Sequence, residues 1–169
     1  MKTVFKLSLL ILTISLTSCS KDRDNDPSSS QNLTGLAAFL NGEFNVTQTD
    51  YNGSLTTVIA TIPLNGTGTG TQGFYNFNAN AKTVSYSVQT TMQASVLGQN
   101  IDFPVNVGGN GTIQYVSDTR FTITDANNGT TTYDVSNKTS TGLRATTRFE
   151  TDTLGGTVDL LLDVYLEKK

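Results

Sequence analysis

From Gly42 to the C-terminus, apolar and polar residues alternate with a period of two, and turn-forming residues interrupt the alternation roughly every eight to twelve positions. Successive side chains of an extended backbone point to opposite faces, so each such segment carries one greasy face and one wet face. The last segment is the clearest: Val158, Leu160, Leu162, Val164 and Leu166 share one side, with Asp159, Asp163 and Glu167 on the other. Val84, Tyr86, Val88, Thr90 and Met92 repeat the arrangement, as do Ile101, Phe103, Val105 and Val107. Pro104 lacks a backbone N–H, which places its strand at a sheet edge or at a bulge. Weaker alternation at Phe44 and Val46, Val58 to Leu64, Phe74 to Phe77, Ile113 and Tyr115, Phe121 and Ile123, Tyr133 and Val135, and Leu143 to Phe149 brings the count to about ten strands.

Between them, Asn52-Gly53, Asn65-Gly66, Gly108-Gly109-Asn110-Gly111, Asn127-Asn128-Gly129 and Gly155-Gly156 tolerate positive φ and are expected to be hairpin turns. Helical segments of the length that parallel crossovers need are missing, so the sheet is expected to be antiparallel and meandering. One short helix is predicted ahead of it, where Leu33, Leu36, Ala37 and Leu40 recur at helical spacing before Asn41-Gly42. Ten one-sided strands must hide their apolar faces against one another, either by closing into a barrel or by stacking as a two-sheet sandwich.

The start of the chain has a different character. Lys2 and Lys6 precede an apolar run from Leu7 to Leu16, too short to span a bilayer permanently, so residues 1–18 read as a secretory signal. Leu16-Thr17-Ser18-Cys19 follows, and this resembles the lipobox of bacterial lipoproteins. The resemblance implies that the Cys19 thiol accepts a diacylglycerol and becomes the first residue of the mature chain. Each buried acyl methylene contributes about 0.8 kcal/mol, so two or three chains on one cysteine make a lasting membrane anchor. Ser20 stands where well-studied lipoproteins retained at the inner membrane carry Asp, which implies an outer-membrane destination. Lys21-Asp22-Arg23-Asp24-Asn25-Asp26 is similar to the surface-export signal of Bacteroidota-type lipoproteins, implying exposure at the cell surface. With Ser28-Ser29-Ser30-Gln31-Asn32, this stretch completes a flexible linker over residues 19–32, with a reach of roughly 20 Å. The folded domain is then 33–169.

That domain resembles the lipocalin-like lipoproteins. The residues carrying the likeness are the helix Leu33 to Leu40, Asn41-Gly42-Glu43-Phe44 opening the first strand, the run of hairpins, and the apolar last strand ending in Glu167-Lys168-Lys169. The expected fold is therefore all-β: an antiparallel up-and-down, lipocalin-like barrel of about 8–10 strands with one short N-terminal helix. In the family a Trp of the first strand closes the barrel floor; here Phe44 takes that place. An Arg covers the aromatic in the family, and Arg144 and Arg148 are the two candidates.

Composition narrows the chemistry. The chain has 29 Thr, 15 Asn and 15 Gly among 169 residues, no His and a single Cys. That removes the commonest general base, the commonest zinc ligand and any internal disulfide. A net charge of −3 offers no basic patch for phosphates, so nucleic acid is not an expected partner. Asp159 and Asp163, about 13 Å apart on one strand, are too distant for a glycosidase pair. Gly66-Thr67-Gly68-Thr69-Gly70-Thr71 has neither the lysine nor the following helix of a phosphate loop. Asp118, Asp125, Asn127 and Asn128 do not follow the spacing of a calcium loop and read as turn formers. No catalytic residue, metal site or cofactor is assigned. Asp152-Thr153-Leu154 resembles an O-glycosylation triplet of Bacteroidota-type exported proteins.

The inward faces are the main functional lead. Tyr86, Val88, Met92, Phe103, Tyr115 and Phe149 are the expected ligand-binding residues, with Gln48, Thr90 and Thr147 as polar handles in the same interior. The same inventory describes either a cup for a small lipophilic molecule or a filled core. The expected protein is a non-catalytic lipoprotein held to the outer membrane by its acyl anchor, binding a small apolar ligand or a surface protein. The alternative is a β-sandwich adhesin or a structural subunit of a surface assembly.

Overall fold

A computed structural model describes residues 33–96, 98–127, 129–153 and 156–169. The expected signal (1–18), Cys19 and the linker lie outside the described residues, as does Leu154 of the glycosylation-like triplet. One helix, α1 (Gly35–Leu40), precedes nine strands: β1 (Gly42–Thr57), β2 (Thr61–Thr67), β3 (Thr69–Asn78), β4 (Thr83–Val96), β5 (Gln99–Ser117), β6 (Arg120–Asp125), β7 (Gly129–Ser136), β8 (Gly142–Thr153) and β9 (Gly156–Lys168). Every pairing is antiparallel, and the strands form one sheet.

The sheet closes on itself because β1 pairs with β9 from Phe44↔Lys168 to Thr57↔Gly156. On its other edge β1 meets two strands in succession. β3 covers its start, from Gly42↔Phe77 to Asn45↔Phe74, and β2 covers its end, from Asp50↔Thr67 to Thr56↔Thr61. β2 and β3 run in the same direction and join at Gly68, so nine strands fill eight places in the ring. A closed single sheet corrects the sandwich alternative: the apolar faces converge on one axis without a second sheet.

Val158, Leu160, Leu162, Val164 and Leu166 are all buried, and so are Val84, Tyr86, Val88, Thr90 and Met92. Gln48 is the exception to the expected facing. A bulge between Val46 and Gln48 on β1 adds a residue against β9, so Thr49 turns inward and is fully buried while Gln48 is exposed. Thr49 then joins Thr71 and Thr90 in a triangle of hydroxyls at 2.8 to 3.0 Å. Gly68 lies against this triangle; a Cβ there would stand 2.1 Å from Thr90 Oγ1 and 2.4 Å from Thr49 Oγ1.

Three of the five expected turns are strand interior. Asn52-Gly53 and Asn65-Gly66 face each other within the β1–β2 ladder, and the reversal occurs instead at 58–60, where Val58 and Ile59 are 94% and 91% exposed. This also removes Val58 to Ala60 from the expected strand. A Cβ at Gly53 would meet the Asp159 carbonyl at 2.1 Å, so close approach of neighbouring backbone, not turning, is what requires glycine. Gly108 to Gly111 likewise lie inside β5, which runs unbroken through both segments expected to be separate strands. Gly109 pairs with Tyr86, whose ring extends beside it.

One end of the barrel is sealed by α1. Leu36 and Leu40 are buried, and Phe39 packs on Phe44 at 5.8 Å between ring centroids. Phe44 is fully buried and continues through Phe77, at 5.9 Å, to Phe121, again at 5.9 Å. The backbone N–H of Leu36 donates to Asp118 in the β5–β6 turn, and the N–H of Ala79 donates to Asn41, tying the helix ends to the rim of this end. Neither candidate arginine covers Phe44. Arg144 binds Ser136 and Asp163, and Arg148 binds Asp159, all on the outer face. The cations over the aromatics are lysines: Lys168 Nζ lies 4.4 Å from the Phe39 centroid and 5.9 Å from that of Phe44, and Lys138 Nζ lies 5.6 Å from the Phe39 centroid. Chain order decides this. Lys168 pairs directly with Phe44 across the closing seam, whereas even-numbered positions on β8 alternate outward.

Candidate functional site

The wall is not of uniform height. β6 has six residues and β7 eight, while β5 has 19 and β8 has 12. β6 pairs with β5 only between Gly111 and Ser117, and β7 with β8 only from Asp134 to Ser136. Residues 99–110 of β5 and 147–153 of β8 therefore have ladder partners on one side alone, β4 and β9 respectively. Between these two edges, above the short β6–β7 hairpin, the barrel is open sideways. Pro104 sits on such an edge, where its missing N–H leaves no gap in a second ladder.

The notch opens onto two adjoining hollows that share Val107 and Phe149. The larger, about 610 Å³, reaches inward to Tyr75, Tyr86, Val88, Tyr133, Leu162 and Val164, and its mouth carries Asn127, Thr130 to Thr132, Arg148 and Glu150. The smaller, about 410 Å³, is lined by Leu64, Met92, Phe103, Val105 and Val158, with Asp102 and Asp152 at its margin. Small-molecule sites commonly enclose about 300–1,000 Å³ behind mostly apolar walls with few polar groups. Both fall within that range of volume; the smaller is mainly apolar, whereas the larger joins an apolar and aromatic inner end to a polar mouth.

Of the residues expected from sequence, Tyr86, Val88 and Phe149 line the larger hollow, and Met92, Phe103 and Phe149 the smaller. Thr147 also faces the larger. Tyr115 belongs to neither. It pairs with Phe121 in the half of β5 nearest α1, where it packs on the core and its buried hydroxyl has no hydrogen-bond partner among the described residues. Burial pushes that phenol up to about 12. Its alternation is inward, as expected, but its height along the barrel is wrong for the hollows.

The inner end of the larger hollow is a tyrosine cluster. Tyr75 stacks on Tyr86 at 5.3 Å and meets Tyr133 edge-on at 6.4 Å; Tyr133 in turn stacks on Phe121 at 4.9 Å. The Tyr86 hydroxyl donates a short hydrogen bond to the buried Asp125 carboxylate, which also accepts from the Asn127 N–H at 2.8 Å. Burial raises the Tyr75 and Tyr133 phenols, and the Asp125 charge adds to the effect at Tyr133, so both are neutral donors at ordinary pH. Asp125 is the residue that pattern reading missed: it sits in the Asp-Ala-Asn-Asn-Gly turn and looks like any other turn former. Asp118 and Asp125 occupy opposite ends of β6, so the acidic residues considered for calcium do not converge.

On the outside, Arg148 pairs with Asp159 and Arg144 with Asp163, which explains the two aspartates on β9 as a solvent-facing charge ladder. Asp50 accepts from Thr67, Gln48 and Tyr165 on the same face. Burial opposes its ionisation, but these hydrogen bonds and the nearby Arg144 charge together hold its carboxyl below the usual range.

The fold and its hollows define a β-barrel closed at one end and notched at the other. No protein-family profile matches the chain, and no curated protein matches it.

Proposed function

We propose that the protein is a non-catalytic, lipid-anchored binding protein whose barrel takes a small apolar molecule through the notch. The observation that carries the reading is the pair of adjoining hollows, apolar and aromatic at their inner walls, reached sideways between residues 99–110 and 147–153. In this reading the signal over 1–18 is removed and Cys19 is acylated. Residues 19–32 then suspend the barrel from the outer membrane, on the cell surface. Two features support that layout. Residue 33 leads directly into α1 at the sealed end, so a tether attached there leaves the notched end pointing away from lipid. The walls offer hydroxyls and aromatic faces for orienting a ligand, suited to recognition.

Two measurements test the proposal. Organic extracts of the purified full-length protein, examined by mass spectrometry, are expected to contain a lipophilic compound that is missing from extracts of the Val107→Arg variant. A fluorescent apolar probe is expected to bind the wild type and to lose at least about tenfold in affinity in that variant, since a charge is placed in the wall common to both hollows. Equal probe binding by both proteins, with circular dichroism unchanged, would remove the notch as the site. Radiolabelled acyl incorporation that persists in Cys19→Ala would remove the anchor.

A further inference from the structure

We infer that the notch selects a cationic amphiphile, a molecule with an apolar body and a protonated amine or quaternary ammonium head, over a fatty acid of the same length. This rests on the binding role proposed above and specifies its ligand class. The walls suit any apolar body; the charges at the margin discriminate. Glu150 stands at the mouth of the larger hollow, and Asp102 and Asp152 at that of the smaller. Asp102 accepts from the Gln93 amide at 2.9 Å and Asp152 from the Thr157 hydroxyl at 2.8 Å, both uncharged donors. None of the three takes part in an ion pair among the described residues. Further in, the Asp125 carboxylate lies behind Tyr86.

Among the described residues, Arg148 is the one cationic side chain lining either hollow, and it is already engaged. Its Nε and Nη2 both donate to the Asp159 carboxylate, on the outer face and away from Phe149. A carboxylate head brought to the notch would therefore meet net negative charge at both hollows, since Arg148 is shared between Asp159 and the nearby Glu150 charge and offsets only part of it, beside low-dielectric walls that weaken screening. An ammonium head in the same place is attracted by each of those charges, and the exposed faces of Phe103 and Phe149 give it aromatic surface as well. Long apolar bodies can lie across the shared boundary at Val107, with the head at either margin.

The test uses the purified full-length protein with three probes of one chain length, dodecylamine, dodecanol and dodecanoate, titrated calorimetrically below their micelle concentrations. The amine is expected to bind at least about tenfold more tightly than the carboxylate, with the alcohol between, and the ratio is expected to shrink as salt rises. In the triple variant Asp102→Asn, Glu150→Gln, Asp152→Asn, the amine-to-carboxylate ratio is expected to fall towards one while the alcohol affinity is unchanged. Equal binding of all three probes by the wild type, or tighter binding of the carboxylate, would overturn the charge selection and leave the apolar site standing. Binding of none of them would overturn both. A wild-type preference that survives in the triple variant would show that these carboxylates are not its source.

Discussion

The sealed and notched halves of this barrel are built from the same long strands, yet they differ in what fills them. Towards α1, Phe39, Phe44, Phe77, Phe121 and Tyr133 touch ring to ring across the whole interior, so the strands enclose a solid plug. Towards the other end, Val88, Val105, Val107, Val158 and Leu162 stand among Met92, Phe103 and Phe149 without a continuous ring-to-ring chain, and two wall strands end early. The missing section of wall leaves space that these side chains do not fill. The difference shows that a barrel's stability and its capacity to bind can occupy different heights of one structure.

The strongest way to break this contrast is to truncate a ring in each half. Phe77→Ala is expected to destabilise the protein by about 3–5 kcal/mol, because it empties a site with no room to collapse. Phe149→Ala, at the half-exposed notch, is expected to cost about 1 kcal/mol. Urea melts of the two variants check this, and similar losses would mean that the notched half is as tightly built as the plug.

Gly68 marks the boundary where β2 gives way to β3. Gly68→Ala drives a methyl into the Thr49–Thr71–Thr90 triangle, and rotating Thr90 aside breaks two of its three hydroxyl contacts. The expected loss is about 1–2 kcal/mol. In a Thr90→Ala background the same substitution should cost clearly less, and a double-mutant cycle measures the coupling.

Asp50 lies outside the barrel at the closing seam and serves both halves. Because its folded pKa is depressed, it contributes stability at pH values above the unfolded value of about 3.9, and that contribution is lost as the pH falls through the folded value. Asp50→Asn is therefore expected to be less stable by about 1 kcal/mol at pH 7, after allowance for solvent screening. It should converge with the wild type once the pH has fallen through the depressed folded value, below which both are uncharged at this position. Denaturation across that range reads the difference.

The smallest effect is expected from Lys168→Gln, which removes the cation above Phe44 and the nearer of the two above Phe39, and should lower stability by about 0.5–1 kcal/mol. Arg144→Gln, which touches neither ring, sharpens the assignment if it leaves the ultraviolet signature of the aromatic plug unchanged.

Much of the wall was legible in the chain. Alternation correctly gave the facing of β4 and β9, and the spacing of Leu36 and Leu40 gave the buried side of α1. It failed where one residue changes parity: the bulge before Gln48 swapped its side with that of Thr49, and local sequence carries no mark of it. Glycine was ambiguous for a related reason. Gly53 and Gly111 are needed because another strand passes close, and an Asn-Gly pair that serves this purpose reads the same as one that turns the chain. Five of the six expected pocket residues line the hollows, while Tyr115 does not, since period two reports the side of a sheet and not the height along it.

The amino-acid order alone determined that this chain makes strands with one apolar face, since side-chain parity is a property of the extended backbone and needs no partner. Which strands meet, where the ring closes and where the wall stops depend on hydrogen-bond registers between residues far apart in the chain, as with Phe44 and Lys168. Only the assembled barrel sets the short β6–β7 hairpin beside the longer edges of β5 and β8, and so makes a site from residues that otherwise read as core.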